Sequence, residues 1–482
     1  MASPGWYHTD GLLDGQTVNY DYDSQKDGGR LVIIYEDGRE KIIHNRNVCG
    51  ILTHGHATDE EDTTQESTIG LVLASEEPTS ESSKGKYHYK ELRAVNLPYS
   101  FVDGHRISHF ISSLSNSQLP ESTPILYVII SIRSGSAGAQ HYFDSVVENA
   151  FKSFGIPDTT YEVHTTTSEK SIEDLAQNVL LPHARCGHKQ VILLLSGDGG
   201  VVDILNVLAT SKRSKKYVKP VISLLPMGTG NALANSTGLN QDSTKGLSHF
   251  FRGTPHPLPT FTATFSPGCE SLVDEGRRRE PLLTNGSSTV VVYGAVVLSW
   301  ALHASLVANS DTTEYRKYGS DRFQMAAKEL LVPSDGSASH VYKGKITLTK
   351  GHWDGQTSQQ VLDRQTHMYV LATLVSNLEE KLVISPDSWP LDGQIRIVHF
   401  GPVSSPDVMR IMGLAYQDGS HIEDPAVEYD SIDGMRIDFE EADERWRRVC
   451  VDGKIIQVGE GGWVEVQNSK EDVLDIMVDM KS

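Results

Sequence analysis

The sequence predicts an α/β domain on a parallel sheet at residues 121–280. A small β-rich module precedes it at 1–120, and an antiparallel, sandwich-like β-rich domain comes after it at 281–482. Three observations carry this reading. Apolar strands and helically spaced segments alternate from Ile125 to Leu225, two of those strands run into glycine-rich turns, and short apolar runs dominate after about Gly238. Strand and helix in strict alternation build a parallel sheet, whose ligands bind at the carboxyl ends of the strands. A chain of 482 residues also exceeds the size at which one core stops growing.

In chain order, Leu31 to Tyr35 and Gly70 to Leu73 read as strands of the N-terminal module. Glu60 to Asp62 and Ser75 to Lys86 read as solvated loops, and the polar stretch Ser113 to Pro124 reads as the linker. Ile125 to Ser131 is a nearly continuous apolar strand. Ala139 to Phe154 carries helical spacing at Phe143, Val146, Val147, Ala150 and Phe154. Strands at Tyr161 to His164, Val191 to Leu195 and Val221 to Leu225 alternate with helices at Ser171 to Leu180 and around Val202, Leu205 and Leu208.

Beyond that alternation, Ser266 to Leu283, with Arg277, Arg278 and Arg279, reads as an exposed insertion. Strands are expected at Ile346 to Leu348, Met368 to Val375, Gln394 to Phe400 and Ile455 to Val458, and a docking helix at Val473 to Met480. Val290 to Ala308 has the length of a membrane span, but its valine-rich first half and its polar residues favour a buried strand.

Composition excludes several classes. With 63 acidic against 43 basic residues the net charge is −20, which opposes binding to nucleic acid. Cys49, Cys186, Cys269 and Cys450 form no CxxC pair, so neither a zinc knuckle nor a disulfide framework is expected. The N-terminus lacks a basic segment followed by an apolar run, which fits a cytoplasmic protein. Thr53-His54-Gly55-His56 lacks the helical periodicity that would hold metal ligands and reads as a polar loop. Lys212 to Lys216 with Lys219 reads as a solvated run able to touch anionic lipid.

The chemistry sits in two turns. A phosphate needs backbone N–H donors that approach closely, and a glycine turn leading from a strand into a helix supplies them. Ser196-Gly197-Asp198-Gly199-Gly200 has that form. About thirty residues later, Pro226-Met227-Gly228-Thr229-Gly230-Asn231-Ala232-Leu233-Ala234 repeats it and adds a threonine hydroxyl and an asparagine amide.

The first turn, with Asp203 and Asn206, resembles the diacylglycerol kinase catalytic domain. The second is similar to the sphingosine kinase form of that family's second turn. Ser299-Trp300 and the segment Glu314 to Phe323 resemble its serine-tryptophan strand and its Tyr-Arg-x-x-Gly-x-x-Arg-Phe motif. The resemblance covers roughly residues 122 to 465. It implies a lipid kinase of the sphingosine, ceramide and diacylglycerol kinase type, with ATP and Mg2+ as cofactors, a lipid substrate and transient contact with a membrane surface.

Carried over, Asp198 would be the base that takes the proton from the lipid hydroxyl. Ser134, Gly135, Thr166, Gly197, Gly199, Gly228, Thr229, Gly230 and Asn231 would hold the nucleotide, with Arg316 and Arg322 neutralising the transferring phosphoryl group. The metal ligands stay unassigned.

The sequence departs from the family in three places. Its first turn reads Ser131-Ile132-Arg133-Ser134-Gly135-Ser136 where the family has Asn-Pro. Asp452-Gly453-Lys454 stands where the family has Asp-Gly-Glu, and His303 to Ser310 lacks the acid that holds a sphingoid head group. Two competing readings are an NAD kinase, which shares the Gly-Asp-Gly turn but not the second run, and a catalytically silent protein that binds lipid or a partner.

Overall fold

The computed structural model describes residues 6–54, 66–74, 86–108, 124–282, 289–319, 321–351 and 356–480. Most of the predicted linker and most of the two solvated loops lie outside them, as do Gly55 and His56 of the histidine motif. His54 itself lies 3.0 Å from the Thr68 hydroxyl through its Nε2.

The N-terminal residues form one antiparallel seven-stranded sheet. Its order is Glu40–His44, Arg30–Tyr35, Gln16–Asp23, Trp6–Leu13, Tyr87–Val95, Glu66–Ala74 and Val48–His54. Alternation along Gln16–Asp23 turns Val18, Tyr20 and Tyr22 inward, where Phe101 and Val102 of the helix Tyr99–His105 meet them. A second core joins this sheet to the central part of the chain, because Cys49, Val72 and Ile107 pack with Phe151, Phe154, Phe250 and Phe251. A Cβ on Gly70 would stand 2.7 Å from the Phe154 ring, so only glycine lets the two layers approach this closely.

The central sheet has six strands in the order Thr254–Pro257, Asp475–Val478, Val221–Pro226, Gln190–Ser196, Ile125–Ile130 and Tyr161–Thr165. All pairs are parallel except Thr254–Pro257 against Asp475–Val478. Gln190–Ser196 and Val221–Pro226 are buried at every position, as expected for strands covered on both faces. The helical run 139–153 packs with Leu247–Arg252 on one face, and the run 171–186 packs with Asp198–Thr210 on the other.

The predicted helix at Val473 to Met480 is a strand. Its short apolar run suits a buried strand as well as a helix, and the open edge of Val221–Pro226 decides, pairing Ile222 with Ile476.

Two antiparallel sheets complete the chain. One runs Val290–Gly294, Phe261–Phe265, Trp463–Asn468, Gly434–Phe439, Tyr342–Gly351 and Thr357–Val361, with Thr366–His367 pairing at its side. The other runs Arg278–Pro281, Glu270–Val273, Lys454–Gln457, Arg448–Val451, Val297–Ala301, Tyr369–Thr373, Ile395–Phe400 and Glu428–Ile432. Trp300 of the second sheet is fully buried against Tyr342 and Phe439 of the first, so the sheets pack face to face.

The expected exposed insertion at Ser266 to Leu283 is corrected in part. Its residues Glu270–Val273 and Arg278–Pro281 form a hairpin that extends the second sheet through the pairing of Ser271 with Ile456. Val290 to Ala308 resolves into two strands and part of the helix Leu302–Ser310. Among the described residues no helix is long and apolar enough to cross a membrane.

Candidate active site

The two glycine turns touch. Met227 N donates to Ser196 O at 2.9 Å, and a Cβ on Gly228 would stand 2.7 Å from Gly197 Cα and 2.6 Å from Asn231 Oδ1. Gly135, at φ 53°, closes the same stack, since a Cβ there would lie 2.3 Å from the Met227 carbonyl oxygen. Asn231 is left-handed at φ 52°, and its Nδ2 donates to Gly228 O at 2.9 Å while its buried Oδ1 makes no hydrogen bond. The first-strand turn is held by hydroxyls. Ser134 Oγ donates to Ser131 Oγ at 2.8 Å, and Ile132 N donates to Thr166 Oγ1 at 3.2 Å.

Asp198 begins the helix Asp198–Thr210, yet its carboxylate serves the next one. It accepts from Ala232 N at 2.7 Å and from Leu233 N at 3.3 Å, at the start of Ala232–Ser236. Burial pushes its pKa up to about 6, and those two amides pull in the opposite direction.

A second buried carboxylate stands near it. Asp452, in the turn between Arg448–Val451 and Lys454–Gln457, accepts from the amides of Ala295 at 2.7 Å, Val296 at 3.1 Å and Val297 at 2.6 Å. Burial pushes it up to about 7, and the charge on Asp198 adds to the rise.

Two cavities meet here. The larger, about 950 Å³, is lined by Ser134, Thr166, Gly197, Gly199, Asp203, Arg316 and Lys454 among others. The smaller, about 490 Å³, has Asp198 and Gly228 to Asn231 at one end, and Leu302, Leu306, Phe323, Leu382 and Met412 along its wall. Gly197, Gly199, Asp311, Arg322, Asp452 and Gly453 line both. The structure thus gathers the sequence-predicted residues around one junction. Gly135 supports the turns from behind without lining either cavity.

Arg316 and Arg322 flank Asp311. Arg316 Nε donates to Asp311 Oδ1 at 3.0 Å, and Arg322 Nη1 lies 3.9 Å from the same oxygen. Arg322 is mostly buried, stacks over the Phe323 ring at 4.7 Å, and has an Nε that makes no hydrogen bond; burial lowers its pKa. The stretch His303 to Ser310, in which the sequence shows no acid, ends one residue short of Asp311. The helices Asp321–Leu331 and Ser405–Ala415, which wall the smaller cavity, also escape the sequence reading. Ser404 before Pro406 and Asp407 is a readable start signal for the second of them, because its hydroxyl accepts from Asp407 N at 3.3 Å.

Among the described residues no three His, Cys, Asp or Glu side chains converge as metal ligands. The nearby acids are committed. Lys454 Nζ donates to Asp203 Oδ1 at 2.6 Å, Asp452 holds three amides, and Asp311 faces two guanidinium groups. These residues do not fit a divalent cation held by the protein alone. In the basic run, Arg213 is paired with Glu471 and Lys219 with Asp472 and Asp475.

With the turns, the junction and its carboxylates established, sequence comparison adds a match to part of the chain. Residues 125–263 match the family model of the diacylglycerol kinase catalytic domain. The matched segment carries Ser134, Gly135, Thr166, Asp198 and both glycine turns, whereas Arg316, Arg322, Asp452 and Lys454 lie beyond it.

The chain is 32% identical over 143 residues to sphingoid long-chain bases kinase 1 of Arabidopsis thaliana, covering 28% of this chain and 18% of that protein. It is 22% identical over 337 residues to sphingosine kinase 1 of the same plant, covering 63% of this chain and 62% of that one. It therefore spans less than two thirds of either relative. A solved diacylglycerol kinase from Bacillus anthracis str. Sterne superimposes with a TM-score of 0.44 at 13% identity, over 74% of this chain and 97% of that one.

Proposed function

We propose that this protein is an ATP-dependent lipid kinase that phosphorylates a hydroxyl of a sphingoid or diacylglycerol-type lipid. One observation carries the reading. Asp198 lines the apolar cavity between Gly197 and Gly199, which line both that cavity and the polar cleft, so its carboxylate stands on the lipid side directly beside the nucleotide side. The larger cavity receives ATP, and the smaller receives the aliphatic chain with the acceptor hydroxyl foremost.

In the transfer step the hydroxyl oxygen forms a bond to the γ-phosphorus as the bond from that phosphorus to the β,γ-bridging oxygen breaks. ADP leaves, and the hydroxyl proton passes to Asp198. Positioning and charge balance dominate such a step, so a modest base suffices. Gly197 and Gly199, which line both cavities, cradle the phosphates, and Gly228, Thr229, Gly230 and Asn231 close on the γ-phosphate from the end of the smaller cavity. Ser134 and Thr166 shape the floor of the larger cavity with Gly135 supporting the turns behind, and Arg316 and Arg322 spread the transferring charge. Mg2+ carried by the nucleotide's own phosphates would supply charge neutralisation there, with no ligand assigned from the protein.

We assign most of residues 121–280, together with the strand Asp475–Val478, to the nucleotide side, most of 281–482 to the lipid side along with the strands Phe261–Phe265, Glu270–Val273 and Arg278–Pro281 that belong to its sheets, and 1–120 to a separate module. A net charge of −20 and no candidate spanning helix among the described residues support a cytoplasmic protein that touches membranes transiently.

The test is transfer of labelled γ-phosphate from Mg-ATP to diacylglycerol, sphingoid bases, ceramide and NAD. A labelled lipid product is expected. Label in NAD alone would make this an NAD kinase. The Lys454–Asp203 ion pair in the cleft favours a second reading, a catalytically silent lipid- or partner-binding protein, and that reading predicts nucleotide or lipid binding with no labelled product.

A further inference from the structure

The larger cavity takes part of its lining, Asp274, Glu275 and Gly276, from the tip of the hairpin Glu270–Val273 and Arg278–Pro281. The tip is left-handed at three residues in a row, with φ 53° at Asp274, 60° at Glu275 and 77° at Gly276. Such a backbone is unfavourable for the two that are not glycine and persists where surrounding contacts determine it. Those contacts are present. Ser271 pairs with Ile456, Arg279 donates to both oxygens of Glu444 at 3.1 and 2.6 Å, and Lys170 Nζ lies 3.4 Å from Glu280 Oε2.

From this fixed tip Glu275 reaches a second element. Its Oε1 accepts from Thr313 N at 2.9 Å and also from the Thr313 hydroxyl, while its Oε2 lies 3.0 Å from Arg277 Nη2. Thr313 opens the helix Thr313–Arg316, a single turn whose last residue is Arg316. One turn fixes several dihedrals for very few hydrogen bonds, so a helix of this length does not hold by itself, and its first amides need partners from outside. Thr312 is one, its hydroxyl accepting from Tyr315 N at 3.2 Å, and Glu275 is another, 38 residues before the amide it holds. Among the described residues Arg316 forms its ion pair with Asp311 and not with Glu275. What Glu275 fixes is therefore the backbone from which Arg316 projects.

We infer that Glu275 is a positioning residue, which sets the turn Thr313–Arg316 so that Arg316 meets the phosphates of the bound nucleotide. The hairpin that reads in the sequence as an exposed insertion is thereby a working part of the nucleotide cleft. A small misplacement of a phosphate-binding guanidinium is enough to weaken transfer. This inference rests on the kinase reading, in which Arg316 faces ATP, and deepens it.

The test uses the full-length protein with Mg-ATP and a sphingoid base or diacylglycerol as acceptor. It reads KM for ATP, KM for lipid, and displacement of a fluorescent ATP analogue, which needs no transfer. Glu275→Asp keeps the charge but is one methylene too short for Thr313, whereas Glu275→Gln loses the charge but keeps the reach and an accepting oxygen. Glu275→Ala and Glu275→Asp are expected to raise KM for ATP about three- to tenfold, to weaken the analogue by a similar factor and to leave KM for lipid within about twofold. Glu275→Gln is expected to stay within about twofold of wild type throughout. In an Arg316→Ala background, Glu275→Ala is expected to add less than about twofold, because the two side chains act as one unit.

Recovery by Glu275→Asp and none by Glu275→Gln would make the effect one of charge and overturn the inference. Additive losses with Arg316→Ala, equal losses toward ATP and lipid, or no loss at all would overturn it too. Should Glu275→Ala not fold, the comparison of Glu275→Asp with Glu275→Gln decides by itself. If no lipid is phosphorylated but analogue binding depends on Glu275 only while Arg316 is present, the transfer reading fails and the placement of Arg316 by Glu275 stands. If transfer proceeds with a KM for ATP indifferent to Glu275, the kinase reading stands and this one fails. Absence of analogue binding in wild type would sink both.

Discussion

Lys454 holds Asp203 through an ion pair of 2.6 Å, so the ammonium in this turn is directed to the helix behind Asp198 and not to Asp198 itself. Asp198 therefore keeps a protonation behaviour set by burial and two amides. Lys454→Glu would put two acids face to face, an arrangement that repels unless a cation joins them. The expected outcome is half-maximal transfer at a lower free Mg2+ concentration, read from a magnesium titration at fixed ATP. An unchanged titration would remove this pair from any part in phosphate handling.

Asp198→Asn keeps the shape of the side chain and one oxygen for Ala232 N, but cannot take a proton. Transfer is expected to fall by about a hundredfold or more, with ATP affinity nearly unchanged. Activity within about tenfold of wild type, a barrier change of about 1.4 kcal/mol, would take the role of base away from Asp198.

The pH profile derives from the same carboxyl. A base with a pKa of about 6 must be ionised to work, so kcat/KM is expected to climb as pH rises through about 6. Stability runs the other way. Asp198 at about 6 and Asp452 at about 7 both stand above the ordinary 3.8, so between pH 4 and 7 the folded protein binds protons that the unfolded chain has released. Their contribution to stability is full below about pH 4 and is lost as pH rises through 6 and 7. Melting of Asp198→Asn beside wild type checks the sign, because the variant is expected to gain relative stability across that window.

The two arginines separate by position. Arg316 lines only the larger cavity and Arg322 lines both. Arg316→Ala is expected to raise the KM for ATP and leave that for lipid unchanged, whereas Arg322→Ala is expected to move both and to lower kcat. Identical KM patterns in the two variants would contradict two cavities with separate ligands.

Gly228→Ala drives a methyl group to 2.7 Å from Gly197 Cα, a backbone atom that cannot yield alone. Overpacking of this kind costs about 1–3 kcal/mol. The expected result is a lower melting temperature together with loss of ATP binding. Gly199→Ala, where nothing lies within 4 Å, is expected to fold as wild type and serves as the control.

What the sequence reveals depends on whether the deciding contact is local. The strands Gln190–Ser196 and Val221–Pro226 and their turns are legible because apolar runs followed by glycine carry the signal within about ten residues. Asp475–Val478 is not, since its state is decided by a partner strand far away in the chain. Asp203 and Lys454 are each readable as charged residues, but their pairing exists only once the hairpin turn at Asp452 is folded over the helix Asp198–Thr210.

The late strand Asp475–Val478 has a consequence for how the protein is made. It fills the place between Val221–Pro226 and Thr254–Pro257, yet it leaves the ribosome more than two hundred residues after the first of them. At about 5–20 residues per second the nascent chain carries a naked, largely apolar strand edge for roughly ten seconds or longer. Such an edge is a template for pairing with another chain. Synthesis of this protein therefore depends on something shielding Val221–Pro226 until translation is nearly finished, and slow or interrupted translation in the last third of the message is expected to turn it into aggregate.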